Sequence, residues 1–437
     1  MKRDPIILQE HQTFEISDIE ALKGLDIPFR QTDYLSDPKY LGIDSSFRAS
    51  YYIGAAWLVK NEWSVIVTPK MPNIDFITMF LAALEVDSKH ESDYFSKCYG
   101  IQFDEPAIET NEQLNQLTPL LVLHFITLLE RLVKHGLKKD YVILEENLKT
   151  KVKGRILFSK HLKKNVFQQR DDRVFCQYQE YTEDIPENRL LKKALLFAEH
   201  IINNYESLKV QLEHIRIRQR LSRLEARFQF VSDDIEVYQI QKLSSNKLFK
   251  EYREAVKVAK MLLRRFDYSI NEASREQHTT PPFWIDMARL YEMWVFSKLN
   301  ATYPEQIKFQ VSGHCKTAVD FIKKDECLIM DTKYKPHYED SNRGIIDDIR
   351  EISGYARDLK ILKELNADER EVKCVIIYPE PTIFVAEKDE KDYEEDDCKT
   401  VNSFDECDLL TQCTEIRWFR NFYKISVKLP TLWPNRN

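Results

Sequence analysis

The sequence predicts an α+β chain with α/β character in its last third. It reads as an N-terminal β-rich domain, a helical middle, and a C-terminal mixed sheet flanked by helices. Three observations carry this. β-Branched and aromatic runs cluster within residues 1–95, helical spacing of apolar residues dominates 96–270, and short apolar strands alternate with amphipathic helices over 271–437. At 437 residues the chain is also too long for one ordinary domain.

Taken in order, "YYIGAAWLV" and "WSVIVTPKM" are separated by "KNE", a hairpin signal, and Pro69 and Pro72 end the second strand. "DFITMFLAALEV" then reads as a helix. In the middle, "LLVLHFITLLERLVKH" follows Thr118-Pro119 and stops at Gly136, the residue type suited to a helix C-terminus. "ENRLLKKALLFAEHIINNY" and "KLFKEYREAVKVAKMLLRRF" are further amphipathic helices. Two basic stretches lie here, 149–164 and 216–227. Each is either a solvated face or a phosphate-contacting surface. After Pro281-Pro282, "IDMARLYEMWVFSKL" reads as a helix. "KTAVDFI" and "ECLIMDTKY" read as strands, "IIDDIREISGYARDLKIL" as a helix, and "VKCVIIYPEP" as a buried strand. "EIRWFR" and "FYKISVKL" read as closing strands. "EKDEKDYEEDDCK" holds eight acids against two lysines in its first eleven residues and reads as an exposed acidic insertion near 387–408.

Composition narrows the chemistry. The chain carries 64 Lys and Arg against 71 Asp and Glu, a net charge of −7, so a broad DNA-gripping surface is not expected unless contact is local or a partner supplies it. Only nine glycines occur, with no GxxxxGK[ST] and no GxGxxG, so no site for ATP, GTP or a dinucleotide cofactor is expected on this chain. Eight scattered cysteines without CxxC read as reduced thiols of a cytoplasmic protein. No apolar run approaches the roughly 20 residues of a membrane span, and the N-terminus has no apolar core of a secretory signal.

The chemistry concentrates in "AVDFIKKDECLIMDTKYKP". With the turn at Lys324-Asp325, Lys323 pairs with Glu326 and Asp320 falls opposite Ile329. Alternation then puts Asp320, Ile329, Asp331 and Lys333 on one face. Asp320 and Asp331 become diagonal neighbours, with backbones about 7–8 Å apart. Two carboxylates on one face raise each other's pKa unless a cation sits between them, and Mg²⁺ is commonly held by one or two carboxylates plus water and phosphate oxygens. Lys333 can stabilise charge on a scissile phosphate. "CLIM" is continuously apolar and so buried on both faces, which sets this hairpin apart from an exposed one with scattered charge. Glu292, in the apolar helix "LYEMWVF", either reaches the same ion or sits on the rim. Asp348, Glu351 and Tyr355 stand at i, i+3 and i+7 and share a helix face, where they line the cleft or simply solvate the helix.

Val319-Asp320 followed by "DTKYK" resembles the core of PD-(D/E)xK nucleases. "DTKYKP" with "DDIREISGYARDL" resembles, more narrowly, the McrC subunit of McrBC-type 5-methylcytosine restriction systems. "YYIGAAWLVKNEWSVIVTPKMPN", "VKGRILFSKHLKKN", "ENRLLKKAL" and "RLYEMWVFSKL" are similar to that family's other segments, in order. Val319 replaces a common proline, and Glu351 stands where glutamine is frequent. The resemblance implies a PD-(D/E)xK-type C-terminal domain. It also implies Mg²⁺-dependent cleavage of modified double-stranded DNA, with Asp320 and Asp331 as metal ligands and Lys333 as the catalytic lysine. A AAA+ GTPase ring of McrB type is the implied partner, docked by the N-terminal part, which stimulates its GTPase. A non-catalytic adaptor of a AAA+ motor and a repair nuclease of the same fold are the alternative readings.

Overall fold

The computed structural model describes residues 4–25, 27, 42–71, 73–90, 94, 97–102, 105–106, 108–110, 117–204, 212–235, 250–271, 278–314, 317–335, 343–367, 371–380, 400–401, 404–405 and 408–431. The acidic run 387–399 lies outside them. The chain forms two compact units, one from residues 1–116 with 276–437, the other from 117–275.

The first unit begins with β1 (Ile6–Gln9), α1 (Ile16–Leu22), β2 (Tyr52–Val59), β3 (Trp63–Thr68), α2 (Phe76–His90), β4 (Tyr99–Ile101) and β5 (Ile108–Thr110). The second holds α3 (Leu117–Lys134), β6 (Asp140–Lys149), β7 (Arg155–Ile156), α4 (Phe158–Lys164), β8 (Arg173–Thr182), α5 (Pro186–Asn204), α6 (Leu212–Arg227) and α7 (Lys250–Asn271). The first unit resumes with β9 (His278–Thr280), β10 (Phe283–Asp286), α8 (Met287–Thr302), β11 (Ile307–Ser312), β12 (Ala318–Lys323), β13 (Leu328–Thr332), α9 (Arg343–Tyr355), α10 (Leu359–Leu365), β14 (Lys373–Pro379), β15 (Thr400–Val401), β16 (Thr414–Glu415) and β17 (Phe422–Val427).

In the second unit α3, α5, α6 and α7 pack on one another, burying Leu121, Phe125, Leu190, Ala194, Val256 and Leu262. The helical reading of this region omits a sheet. β6 and β8 pair antiparallel from Asp140–Thr182 to Lys149–Arg173, and β7 adds to β8. β6 is largely exposed and β8 buries only Phe175 and Cys176, two neighbours in sequence, so neither strand shows the in–out alternation that would have marked it. The basic stretch 149–164 forms β7 and α4. In 216–227, Ile217, Leu221 and Leu224 are buried while Arg218, Arg223 and Arg227 face solvent, and Arg220 Nε pairs with Glu130 at 2.7 Å. An exposed arginine row is common to both readings of this stretch.

Among the described residues the first unit contains two large sheets and a two-stranded one, β5–β9. One runs β1-β3-β2-β10-β4; its β2–β3 hairpin is the expected one. The unexpected member is β10, which enters from residue 283 and pairs with both β2 and β4. The sequence reading placed Ile285 and Asp286 in a helix. Instead the four residues Phe283–Asp286 form a fully buried strand, and Asp286 caps α8 by accepting from Arg289 N at 3.0 Å. A four-residue apolar strand leading straight into an apolar helix shows no change of periodicity. Gly54, at φ +139°, lets β10 approach; a Cβ there would lie 2.1 Å from the Phe283 carbonyl oxygen.

The second sheet runs β11-β12-β13-β14-β17-β15, with β16 on β17. β11–β12–β13 is antiparallel, and β13–β14–β17 is parallel, so the sheet is mixed. On one face Ile322, Ile329, Cys374 and Ile376 pack with Ile345, Ile349, Ile352, Ile361 and Leu365 of α9 and α10. Around β11 and β12, Phe296 of α8 stacks on Phe309 at 4.5 Å and Phe321 follows at 5.8 Å. The single helix expected over "IIDDIREISGYARDLKIL" is two. α9 ends at Tyr355, and Asp358 starts α10 by accepting from Lys360 N at 2.8 Å. "EIRWFR" is mostly turn, with Trp418 at φ +69° and exposed.

Candidate active site

The hairpin carrying the carboxylates pairs Ile322 with Ile329 and Phe321 with Met330. The turn spans Lys324–Cys327 and closes with Cys327 at φ +55° and its N–H on the Lys324 carbonyl at 3.1 Å. This is two residues out of step with the expected register. Continued outward, the ladder sets Asp320 directly opposite Asp331 rather than diagonal to it. Because the shift is even, the parity that assigns Asp320, Ile322, Ile329, Asp331 and Lys333 to one side is unchanged. Ile322 and Ile329 fill the core beneath α9, and the two aspartates stand where that apolar strip ends.

Asp331 is buried and its Oδ2 lies 2.6 Å from Lys333 Nζ. Lys333 Nζ also donates to Glu351 Oε2 at 2.7 Å, and Glu351 Oε1 accepts from the Tyr355 hydroxyl at 3.0 Å. Asp348, buried one turn before Glu351 on α9, holds Lys335 through both carboxylate oxygens at 2.8 and 2.7 Å. One side of α9 is therefore engaged with alternate residues of "DTKYK". Asp320 keeps some surface, but its carboxyl is enclosed. Its Oδ2 accepts from Thr332 N at 2.8 Å and Thr332 Oγ1 at 2.6 Å, and its Oδ1 from Gln310 Nε2 at 3.3 Å. Glu292 is buried, not on a rim. The Tyr94 hydroxyl donates to its Oε2 at 2.6 Å, and Gln310 Nε2 donates to its Oε1.

The electrostatics follow from this crowding. Burial, then the Glu292 charge, pushes the Asp320 carboxyl up to about 8. Burial pushes Glu292 up to about 7 against its hydrogen bonds from Tyr94 and Gln310, with Asp331 adding repulsion. Burial and the neighbouring Asp320 charge drive Asp331 well above the carboxylate range. Burial disfavours the Lys333 ammonium, yet Asp331 and Glu351 outweigh it and its pKa is raised. Burial likewise opposes ionisation of Glu351, but Lys333 overcomes it and holds that carboxyl below its usual value. Four acids, Glu292, Asp320, Asp331 and Glu351, thus cluster with one lysine, and added positive charge would be welcome there.

All the donors are oxygens, which suits a hard cation. Among the described residues no three His, Cys, Asp or Glu side chains form a closed metal cage. The donor set fits an ion that takes two protein carboxylates and completes its shell with water or phosphate oxygens, the habit of Mg²⁺. Gln310, Thr332 and Tyr94 were missed from sequence. Gln310 acts from a neighbouring strand, Thr332 partly through its backbone N–H, and Tyr94 from a segment almost two hundred residues away; only a known strand pairing would have pointed to the first.

A second anchor also escaped notice. Lys70, just past β3, donates to the Tyr334 carbonyl at 2.5 Å and lies 3.9 Å from the centre of its ring, one residue beyond Lys333. Lys70 N donates to the buried Glu10 at 2.8 Å. Burial pushes the Glu10 carboxyl up to about 7, partly countered by the Lys70 charge.

Fold and site together define an α+β protein whose mixed sheet presents paired aspartates and a lysine at adjoining strand ends. The model of the McrBC 5-methylcytosine restriction system component family matches residues 47–351, and the chain belongs to that family. Of solved structures, it is similar to a refined half-complex from the tetradecameric assembly of Thermococcus gammatolerans McrB AAA+ hexamers with bound McrC. That likeness has 14% identity, 98% of this chain and 95% of that one covered, and a TM-score of 0.39. It is also similar to the Thermococcus gammatolerans McrBC complex, at 16% identity, 69% and 88% coverage and a TM-score of 0.29. No curated protein matches. Among the described residues, no helix is long and apolar enough to cross a membrane.

Proposed function

We propose that this chain is the McrC-type subunit of a modification-dependent restriction complex, a Mg²⁺-dependent endonuclease for modified double-stranded DNA. The observation that carries the reading is that Asp320 and Asp331 come together at adjoining ends of the paired strands β12 and β13, with Lys333 ion-paired to Asp331. Asp320 and Asp331 would hold the ion, with the buried Glu292 next to Asp320. When bound, Mg²⁺ polarises a phosphodiester and lowers the pKa of water for attack. The chain's own groups do the rest. Thr332 clamps one oxygen of Asp320, Glu351 keeps Lys333 charged and aimed at the cleft, and Lys333 offers its ammonium to the phosphate as negative charge develops.

The proposed partner is a AAA+ GTPase ring of McrB type, which this chain would stimulate. Family membership supports a multicomponent system. The net charge of −7 and the lack of any nucleotide-cradling glycine motif support a division of labour in which another subunit binds GTP and drives DNA movement. The test is cleavage of methylcytosine-bearing DNA by the chain combined with its GTPase partner. Asp331→Ala is expected to abolish cutting while GTPase stimulation persists. Cutting at the wild-type rate by Asp331→Ala would refute the nuclease reading, and a wild-type chain that stimulates the GTPase without cutting would favour the adaptor.

A further inference from the structure

β11 runs regularly beside β12 except at one position. Phe309 pairs with Phe321 and Val311 with Val319, but Gln310, opposite Asp320, drops out of the ladder with φ at +50°. The left-handed region is rare for a non-glycine residue, and the interior of a strand is an unexpected place for it. Such strain persists only where the surroundings fix it, and it clusters at functional sites. Here the preceding residue is fixed: Phe309 packs in a mutual ring cluster with Phe296 at 4.5 Å and Phe321 at 5.7 Å.

The side chain shows what the distortion achieves. Gln310 Nε2 donates to Asp320 Oδ1 at 3.3 Å and to Glu292 Oε1. One amide nitrogen has two hydrogens, so a single carboxamide can serve both acids, and carboxyl oxygens on two sides require its NH₂ end to face them. The remaining oxygen of each acid is tied elsewhere, Glu292 to Tyr94 and Asp320 to Thr332. A glutamine in regular strand geometry would remain on the ladder, without the turn in the backbone that accompanies this bridge.

We infer that Gln310 is a positioning residue of the metal site. Its bent backbone places one amide between Glu292 and Asp320 and so fixes the orientation of the Asp320 carboxylate across from Asp331. The inference rests on the reading of Asp320 and Asp331 as the ion's ligands.

Two variants separate this role from a packing role. Gln310→Gly accepts the left-handed backbone freely but has no carboxamide. Gln310→Asn tolerates that backbone and keeps a carboxamide one methylene too short to span both acids. Three quantities are read on the full chain: Tm, Mn²⁺ affinity by calorimetry, and, with the partner GTPase, DNA cleavage across a Mg²⁺ series. Both variants are expected to stay folded with a Tm close to wild type, the lost hydrogen bonds being offset by relief of the left-handed backbone, yet to bind Mn²⁺ about 10-fold or more weakly, the usual effect of losing a group that orients a metal ligand. Cleavage is expected to fall at low Mg²⁺ and recover in part at high Mg²⁺. Wild-type Mn²⁺ affinity in Gln310→Gly would overturn the inference, as would a Tm several degrees lower or a wild-type chain that takes up no Mn²⁺. Asp331→Ala separates the two readings. If it still cuts DNA, the nuclease reading fails. If it is inactive while Gln310→Gly binds Mn²⁺ normally, only the role of Gln310 fails.

Discussion

That Asp320, Asp331 and Lys333 come together was legible in the sequence because a strand's period of two does not depend on the exact turn, only on its parity. What the sequence could not show is how crowded the carboxyls are. With Asp320 pushed up to about 8 and Glu292 to about 7, both are partly protonated at neutral pH, and protons compete with a cation for the same oxygens. Divalent-ion affinity is therefore expected to rise with pH through 7 to 8. Calorimetry in buffers of different ionisation enthalpy should show proton release on Mn²⁺ binding at pH 7; pH-independent binding would contradict it. Glu351 and Lys333 call for different magnitudes. Glu351 is about half exposed, so Glu351→Gln, which still accepts from Lys333, is expected to slow cleavage by no more than about fivefold, equivalent to about 1 kcal/mol. Lys333→Ala, which removes the cation at the phosphate, is expected to cost about 10²–10³-fold. Steady-state cleavage rates decide both.

At the scale of elements, helices with a clear apolar stripe were legible and short or strained pieces were not. α5 and α7 stand where their periodicity put them, whereas β10 hid in front of an apolar helix and the α9–α10 break hid behind a continuous amphipathic pattern. The hairpin turn was misplaced because Cys327 takes a left-handed conformation that its residue type does not advertise. The packing beneath the site gives the elemental prediction. Ile329 is fully buried between β12, β14 and α9, so Ile329→Ala should cost about 2–5 kcal/mol in chemical denaturation. A loss below about 1 kcal/mol would mean that this strip does not fix the height of Asp331. Asp358→Ala should cost about 1 kcal/mol or more through the lost α10 cap and the lost contacts with His314, without altering metal affinity.

For the whole molecule, the instructive feature is that the N-terminal sheet and the candidate nuclease sheet belong to one compact unit. β10 is inserted between β2 and β4, and Lys70 reaches the backbone of Tyr334 beside Lys333. Composition suggested consecutive domains, because nothing in a local window reports that a strand from residue 283 completes a sheet begun at residue 6. Residues 1–116 made alone are expected to lack cooperative unfolding by circular dichroism, since β2 and β4 would lose the strand between them. Gly54→Ala should destabilise the full chain severely for the same seam, because no Cβ fits against the Phe283 carbonyl.

The central claim is that Asp320 and Asp331 jointly hold the ion that cuts DNA. Its most direct test is cleavage of methylcytosine-bearing DNA by Asp320→Asn and wild-type chains, each with the partner GTPase, over a Mg²⁺ titration. The account predicts no cutting by Asp320→Asn at any Mg²⁺ concentration, with partner stimulation retained. Cutting by that variant at the wild-type rate and the wild-type Mg²⁺ requirement would contradict it.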